Sequence, residues 1–297
     1  MNGLLKGEIT LTVDIILGLI LGEIIISLKL PDILLKRLIP FLERMNIPSV
    51  TGLAIALSTA SSRAGAAVIS SALENGKITE RSAIWSVLML PFPSYLRRWP
   101  STFLLSLSMA GNAGIFFALS LIFRSTARFF IALFFLRREN HELSTNEHHE
   151  INFPRYSFKI ASKIFKTLPV AWVFFALSYS LVPVLNDFFK NFFSGHDTFI
   201  PLSGWAVSAG SISHVSAALA LAGGSMSSGE LNTAQAVFAL ILGSGLGTAT
   251  RILRQNAGYY FGLFPSGTAC KMMIMNFATI IPLIMLNLIF AGLALLL

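Results

Sequence analysis

The sequence predicts an all-α polytopic membrane protein. It further predicts two structural repeats, inverted with respect to each other and built from broken or re-entrant helices. Three observations lead there. Of the 297 residues, 54% are hydrophobic and 12% charged, and the mean hydropathy is +0.72. A soluble domain carries about 25% charged residues. Apolar runs of about 20 residues recur along the chain, which suits spanning helices and not barrel strands of about 10. In lipid the backbone must bond to itself, so these runs are helical. Finally, the stretch 48–98 has an echo at 201–251.

A shift of 153 positions lays Pro48 on Pro201, Ser58 on Ser211, Gly76 on Gly229 and Arg98 on Arg251. Ala56, Ala64, Ala67 and Ala83 meet Ala209, Ala217, Ala220 and Ala236, giving eight identities in 51 positions. The kinds of residue carry more than the count. A proline opens each copy, a glycine turns it and an arginine closes it. Two copies of an interrupted hydrophobic hairpin point to a transporter core.

In chain order, residues 9–28 form a first span containing Asp14 and Glu23. Nine positions apart, these acids face opposite sides of a helix. Glu23 lies deep in the run, where a carboxylate must face protein or water; it is a candidate coupling or charge-balancing group. Residues 29–46 carry Lys29, Lys36, Arg37 and Arg44 among leucines and isoleucines, as an interfacial amphipathic helix does. Residues 47–73 are the first hairpin arm, with a small, polar centre, and Glu74 to Gly76 make the turn. The return arm, 78–96, is expected to break at Pro91 and Pro93. Residues 101–110 read as a half-membrane segment, Gly111 to Gly114 as an interruption, and 113–136 as a span with Arg124 and Arg128 facing inward or towards an interface.

The polar stretch 137–163 divides a first membrane repeat, 1–136, from a second, 164–297. His141, His148 and His149 within it lack a helical ligand spacing, so the stretch reads as a solvated linker and not a metal site. The second half repeats the plan. It has a span at 164–185, a link at 186–198, a polar-centred arm at 199–226 and a return arm at 231–250. In that arm Gly243, Gly245 and Gly247 stand in place of the proline break. A half segment at 257–267, broken at Pro265 and Gly267, precedes a last span at 269–295.

The net charge of +8 lies mostly in loops and at helix ends, where it serves topology and contact with anionic lipid. Nucleic acid is excluded as a partner, since no basic soluble domain presents the charge. The lone Cys270 excludes an internal disulfide and a cysteine-rich metal site. Asp14 and Glu23 interrupt the first run, and no small-residue cleavage site follows it, so a retained helix is expected there. The basic links at 29–44 and 137–166 both favour the cytoplasmic side. Each half then crosses an odd number of times, which inverts the repeats and leaves the amino terminus outside.

The candidate substrate-binding residues are Ser58, Ser61, Ser62, Arg63, Pro91, Ser94 and Arg98 in the first half. In the second they are Ser211, Ser213, His214, Ser244, Thr248 and Arg251. Small residues and serines in membrane helices commonly serve packing, with the hydroxyl bonded to the preceding turn. Arg63 is different, because an arginine at mid-membrane depth costs about 2.5 to 3.5 kcal/mol on insertion scales. It must face a cavity, a carboxylate or a ligand. The glycine run 243–247 lies in an apolar helix with no preceding strand, so it is not a dinucleotide loop. It serves close helix packing or an unwound, substrate-contacting turn. Helix ends inside a membrane offer amides to anions, and Arg98 and Arg251 favour anionic groups over bare cations. Clusters of thiolate, imidazole or carboxylate suited to a transition metal are missing from the hairpins. A Ser–His dyad for intramembrane proteolysis lacks its nucleophile setting, so the chain reads as no enzyme and needs no cofactor.

The duplicated cores 58–65 and 211–218, each followed by a glycine turn and a Pro- or Gly-interrupted return helix, resemble the nucleoside-recognition, or Gate, domain family. The resemblance covers about residues 10–136 and 164–295. It implies a multi-pass α-helical protein of the inner (cytoplasmic) membrane, with broken helices and a transport role, and it transfers no substrate. The Gate cysteines and GTPase domain of the ferrous-iron transporters in this family have no counterpart in this sequence. The expected function is a permease for a small polar solute, anionic or nucleoside-like, with the lipid bilayer as partner. A homo-oligomer or a membrane partner remains open. The alternatives are a non-transporting component that works with a partner protein, as in spore maturation, and divalent-cation permeation.

Overall fold

The computed structural model describes residues 47–139 apart from Ala60, residues 200–296, and Thr12, Pro169 and Trp172 singly. The expected elements at 9–28, with Glu23, and at 29–46, 164–185 and 186–198 otherwise lie outside the described residues. So does all but the start of the linker. The described chain is helical throughout. It runs α1 (Ser49–Ser58), α2 (Ser62–Glu74), α3 (Glu80–Met89), α4 (Pro91–Arg138), α5 (Leu202–Ser213), α6 (Val215–Ser227) and α7 (Thr233–Arg251). A π-helical turn (Ile252–Ala257), α8 (Gly258–Leu263) and α9 (Ser266–Leu296) follow.

Local chemistry sets these boundaries. Pro48 and Pro201 precede α1 and α5 with φ of −55° and −58°, the value that the proline ring imposes. The α2–α3 turn passes through Gly76 at φ 67° and the α6–α7 turn through Gly229 at φ 79°, a region that disfavours any Cβ. Thr79 then caps α3 by accepting from the Ser82 amide. Asn232 caps α7 in a reciprocal capping box with Gln235.

An extended residue immediately precedes α2 and α6, where each doubles back on the helix before it. Ser61 (φ −152°, ψ 119°) and His214 (φ −152°, ψ 129°) stand at these points. Each keeps its place in the helical ladder on both sides. Ser61 donates to Leu57 O at 3.0 Å and accepts from the Gly65 amide at 3.2 Å; His214 donates to Gly210 O at 3.0 Å and accepts from the Ala218 amide at 3.2 Å. The paired helices therefore lie close. A Cβ on Gly65 would sit 2.5 Å from Ala54 O, and one on Gly210 would sit 3.1 Å from a Leu221 methyl. Thr51 and Ser86 hydroxyls bond at 2.7 Å, tying α1 to α3, and Ser208 Oγ donates to Ala239 O at 2.9 Å, tying α5 to α7.

α4 is a hairpin of two helical arms, 91–110 and 112–138, joined by Gly111 (φ 52°, ψ −130°). Trp99 Nε1 donates to Ala118 O at 3.2 Å, and the Phe92 and Phe129 rings lie 4.8 Å apart. Gly114 packs directly on the Ser106 carbonyl.

The chain divides into two compact units. The first contains α1 to α3, residues 91–97 and 128–138 of α4, and 255–276; the second contains 98–127, 200–254 and 277–296 among the described residues. The first unit buries Leu53, Ile69 and Leu88, and the second buries Phe117, Leu219 and Leu240. Within the first, Ser70 Oγ donates to Leu263 O at 2.6 Å, Glu80 accepts from Thr268 Oγ1 at 2.8 Å and Glu80 pairs with Lys271 at 2.7 Å. Within the second, Asn287 Nδ2 donates to Ser120 O at 3.3 Å. The helical stretch Glu80–Arg138, α7 and α9 are long and apolar enough to cross a membrane.

Several sequence expectations differ from what is observed. The arms expected at 47–73 and 199–226 are each two short helices packed on one another, and not one helix, because the backbone turns extended at Ser61 and at His214. Residues 101–110 are the end of a helix that begins at Pro91, and not a separate half segment. Pro91 and Pro93 start that helix after a one-residue interruption at Leu90. The first amides of a helix have no intrahelical acceptor, so prolines cost little there. α7 runs unbroken through the glycine run. At Gly243 a Cβ would lie 2.5 Å from Ser208 O, so the residue serves close packing and not unwinding. The break at Pro265 is present, with Phe264 extended, but Gly267 lies inside α9.

Replacing Gly76 by Ala is expected to cost about 1 kcal/mol through the backbone alone, because nothing lies within 4 Å of the added methyl. Gly76→Asn should cost less, since Asn tolerates this region. Gly114→Ala should cost more than either, through its contact with Ser106. Thermal unfolding of the purified chain in detergent ranks the three. A silent Gly114→Ala would show that the two arms of α4 do not meet there.

Candidate functional site

Each unit holds its own set of buried polar groups. In the first, the reversal at Ser61 leads into α2, whose first turn carries Ser62 and Arg63, both half-buried. Ser62 Oγ lies 3.2 Å from Leu90 O and 3.3 Å from Ser94 Oγ. Ser62 and Ser94 therefore meet as the sequence pattern groups them, where α3 gives way to α4. Pro91 is half-buried beside them. Ser58 is fully buried, but its hydroxyl bonds back to Ile55 O at 2.7 Å and offers no free donor. Arg98 is exposed at the start of the second unit's share of α4.

Opposite the start of α2 stands a tyrosine pair that the sequence reading passes over. The π-helical turn widens the helix just before α8, and Tyr259 and Tyr260 follow it. Tyr259 Oη donates to the Ser62 and Arg63 carbonyls, each at 3.1 Å. Tyr260 is 2% exposed. Its hydroxyl accepts from Asn276 Nδ2 at 3.4 Å, and the Arg128 guanidinium lies against it. Polar groups thus run within one unit from the helix reversal to Arg128. Tyr259, Tyr260 and Asn276 were detectable in principle, as hydrogen-bonding side chains inside otherwise apolar runs.

In the second unit, Ser213 ends α5, and His214 is exposed at the reversal. Ser211 is buried, and its Oγ has no partner among the described residues. Ser244, fully buried in α7, receives a bond from Arg124 Nη2 at 2.9 Å and donates to Ile241 O at 2.9 Å. Arg124 is itself buried. Thr248 bonds back to Ser244 O at 2.7 Å, and Arg251 folds onto its own helix, reaching Gly247 O at 3.0 Å and Thr248 Oγ1 at 3.1 Å. Ser244, Thr248 and Arg251 therefore line one helix face, with Arg124 bonded to Ser244. Glu23 lies outside the described residues.

Chemically, both units offer donors. Each contains an arginine from the second arm of α4, hydroxyls, and the amino end of a helix that begins after the reversal, an arrangement that attracts anions. Among the described residues no group of three or more His, Cys, Asp or Glu comes together to hold a metal ion. No family model, curated protein or solved structure matches the chain.

The Arg124–Ser244 contact predicts a specific coupling. Ser244→Ala leaves a buried charge short of an acceptor and should destabilise by about 1 to 3 kcal/mol. In an Arg124→Met background the same change should cost little, because the charge is already gone. Unfolding of the four chains of this cycle in detergent measures the coupling. Equal losses in both backgrounds would show that the bond contributes nothing.

Proposed function

We propose that this chain is a permease of the cytoplasmic membrane for a small polar solute, anionic or nucleoside-like in character. In this reading it crosses the bilayer several times and consists of two inverted repeats, 1–136 and 164–297, separated by the linker. Its short helix pairs, α1–α2 and α5–α6, are re-entrant. The resemblance to the nucleoside-recognition (Gate) family points the same way.

One observation carries the proposal. Ser61 and His214, 153 positions apart, are extended residues with the same φ, each immediately before the second of two short helices that pack on one another. Helix pairs this short do not cross a bilayer core of about 30 Å. They bring helix ends to mid-depth, where free amides and carbonyls bind solutes and ions in transporters. The arms of α4 reach about 46 Å (80–110, with α3) and about 40 Å (112–138) at 1.5 Å per residue, enough for two crossings.

Several candidate residues cluster at these reversals. Ser61, Ser62, Arg63 and Ser94 gather at one, and Ser211 and His214 at the other. The two centres differ in chemistry, Ser61-Ser62-Arg63 against His214-Val215-Ser216. Such an asymmetric centre on matched scaffolds suits one unsymmetrical solute.

Uptake into liposomes holding the purified protein tests the proposal, with a panel of nucleosides, small carboxylates and divalent cations. Saturable uptake of an organic solute is expected, reduced at least about tenfold by Arg63→Ala and by His214→Ala. Flux of no member of the panel would overturn the permease reading. Flux indifferent to both substitutions would move the site elsewhere.

A further inference from the structure

Arg128 stands in the second arm of α4, four residues after Arg124, and belongs to the first unit. Its side chain is half-buried, but Nε and Nη2 are sealed from the surface and have no hydrogen-bond partner among the described residues. These two nitrogens form one edge of the guanidinium plane. Their N–H bonds run parallel and match the two oxygens of a carboxylate or phosphate.

Beside the guanidinium stand Tyr260 and, bonded to it, Asn276. The Tyr260 oxygen already accepts from Asn276 Nδ2 at 3.4 Å and has Arg128 against it, so its own proton is left to donate elsewhere. Tyr260 and Asn276 are 2% and 0% exposed. No ion pair to Arg128 occurs among the described residues, and Glu80 of this unit is taken by Lys271 and Thr268. An arginine in a low-dielectric setting calls for a negative partner, and none stands there among the described residues.

We propose that the Nε–Nη2 edge of Arg128, with the Tyr260 hydroxyl, binds a carboxylate or phosphate group. Asn276 acts as a positioning residue: it holds the Tyr260 oxygen so that the hydroxyl proton points away. The assignment rests on the permease reading for its role, since it makes an oxyanion the group that the solute carries. A soluble anion and a lipid headgroup share this chemistry.

The test uses the full chain in nanodiscs of phosphatidylcholine. Its thermal unfolding midpoint is titrated with sodium phosphate and sodium acetate against chloride at constant ionic strength. A saturable rise with at least one oxyanion is expected, absent in Arg128→Met and weaker by about tenfold in Tyr260→Phe and Arg128→Lys. A rise obtained only on replacing the lipid with phosphatidylglycerol, and lost in the same variants, assigns the headgroup as the occupant. No rise under any of these conditions would overturn the proposal, as would a rise that Arg128→Met leaves intact. If Arg128→Met does not fold, undiminished affinity in both Tyr260→Phe and Arg128→Lys overturns it. Binding without flux would leave this site standing and remove the permease; flux with no oxyanion effect would do the reverse.

Discussion

A helix can reverse direction in an apolar environment only if its backbone groups stay bonded, since each orphaned amide or carbonyl there costs several kcal/mol. Both reversals meet this constraint in the same way. Ser61 and His214 are extended, yet each still donates four residues back and accepts from four residues on. Such a reversal keeps the backbone bonded. It also brings α1 onto α2 and α5 onto α6 at a separation that only small side chains allow. The run of Ala, Gly and Ser in both helix pairs follows from that geometry.

The same economy governs the hydroxyls. Ser58, Ser208, Ser244 and Thr248 each bond to a carbonyl of a preceding turn. Some also bond across helices: Thr51 with Ser86, and Ser208 with Ala239 O. These bonds tie the first arm of each hairpin to its return helix at corresponding places. Such hydroxyls are structural in the first instance. Those left to do something else are fewer, and Ser211 is one of them.

Positive charge is handled differently in the two units. Arg124 is buried against Ser244 in the second, and Arg251 is folded onto its own helix. Arg128 faces a tyrosine–asparagine pair in the first, and its Nε and Nη2 have no partner among the described residues. A charge buried without a partner is expensive. Arg124 and Arg128, four positions apart in one helix arm, are thus held by different chemistry. The ion pair of Glu80 with Lys271 is partly exposed and worth little by comparison.

The helical class and the apolar spans followed from composition and run length alone, because an apolar stretch of that length has few ways to satisfy its backbone. Proline and glycine at a 153-residue spacing located the hairpin starts and the glycine turns, since both restrict local backbone geometry. The reversals at Ser61 and His214 fall inside runs that read as single arms, 47–73 and 199–226, because Ser and His carry no backbone signal of their own. Composition could not say whether Pro91 ends a helix or begins one, or whether Gly243 loosens a helix or lets another approach. Those outcomes depend on which backbone lies opposite. Nor could it join Tyr260 and Asn276 to Arg128, which are separated by more than a hundred positions and meet only because residues 128–138 and 255–276 fold into one unit. Residue identity determined where the chain bends at proline and glycine; the packing of distant segments decided which side chains its bends bring together, because burial and hydrogen bonding are properties of neighbours in space.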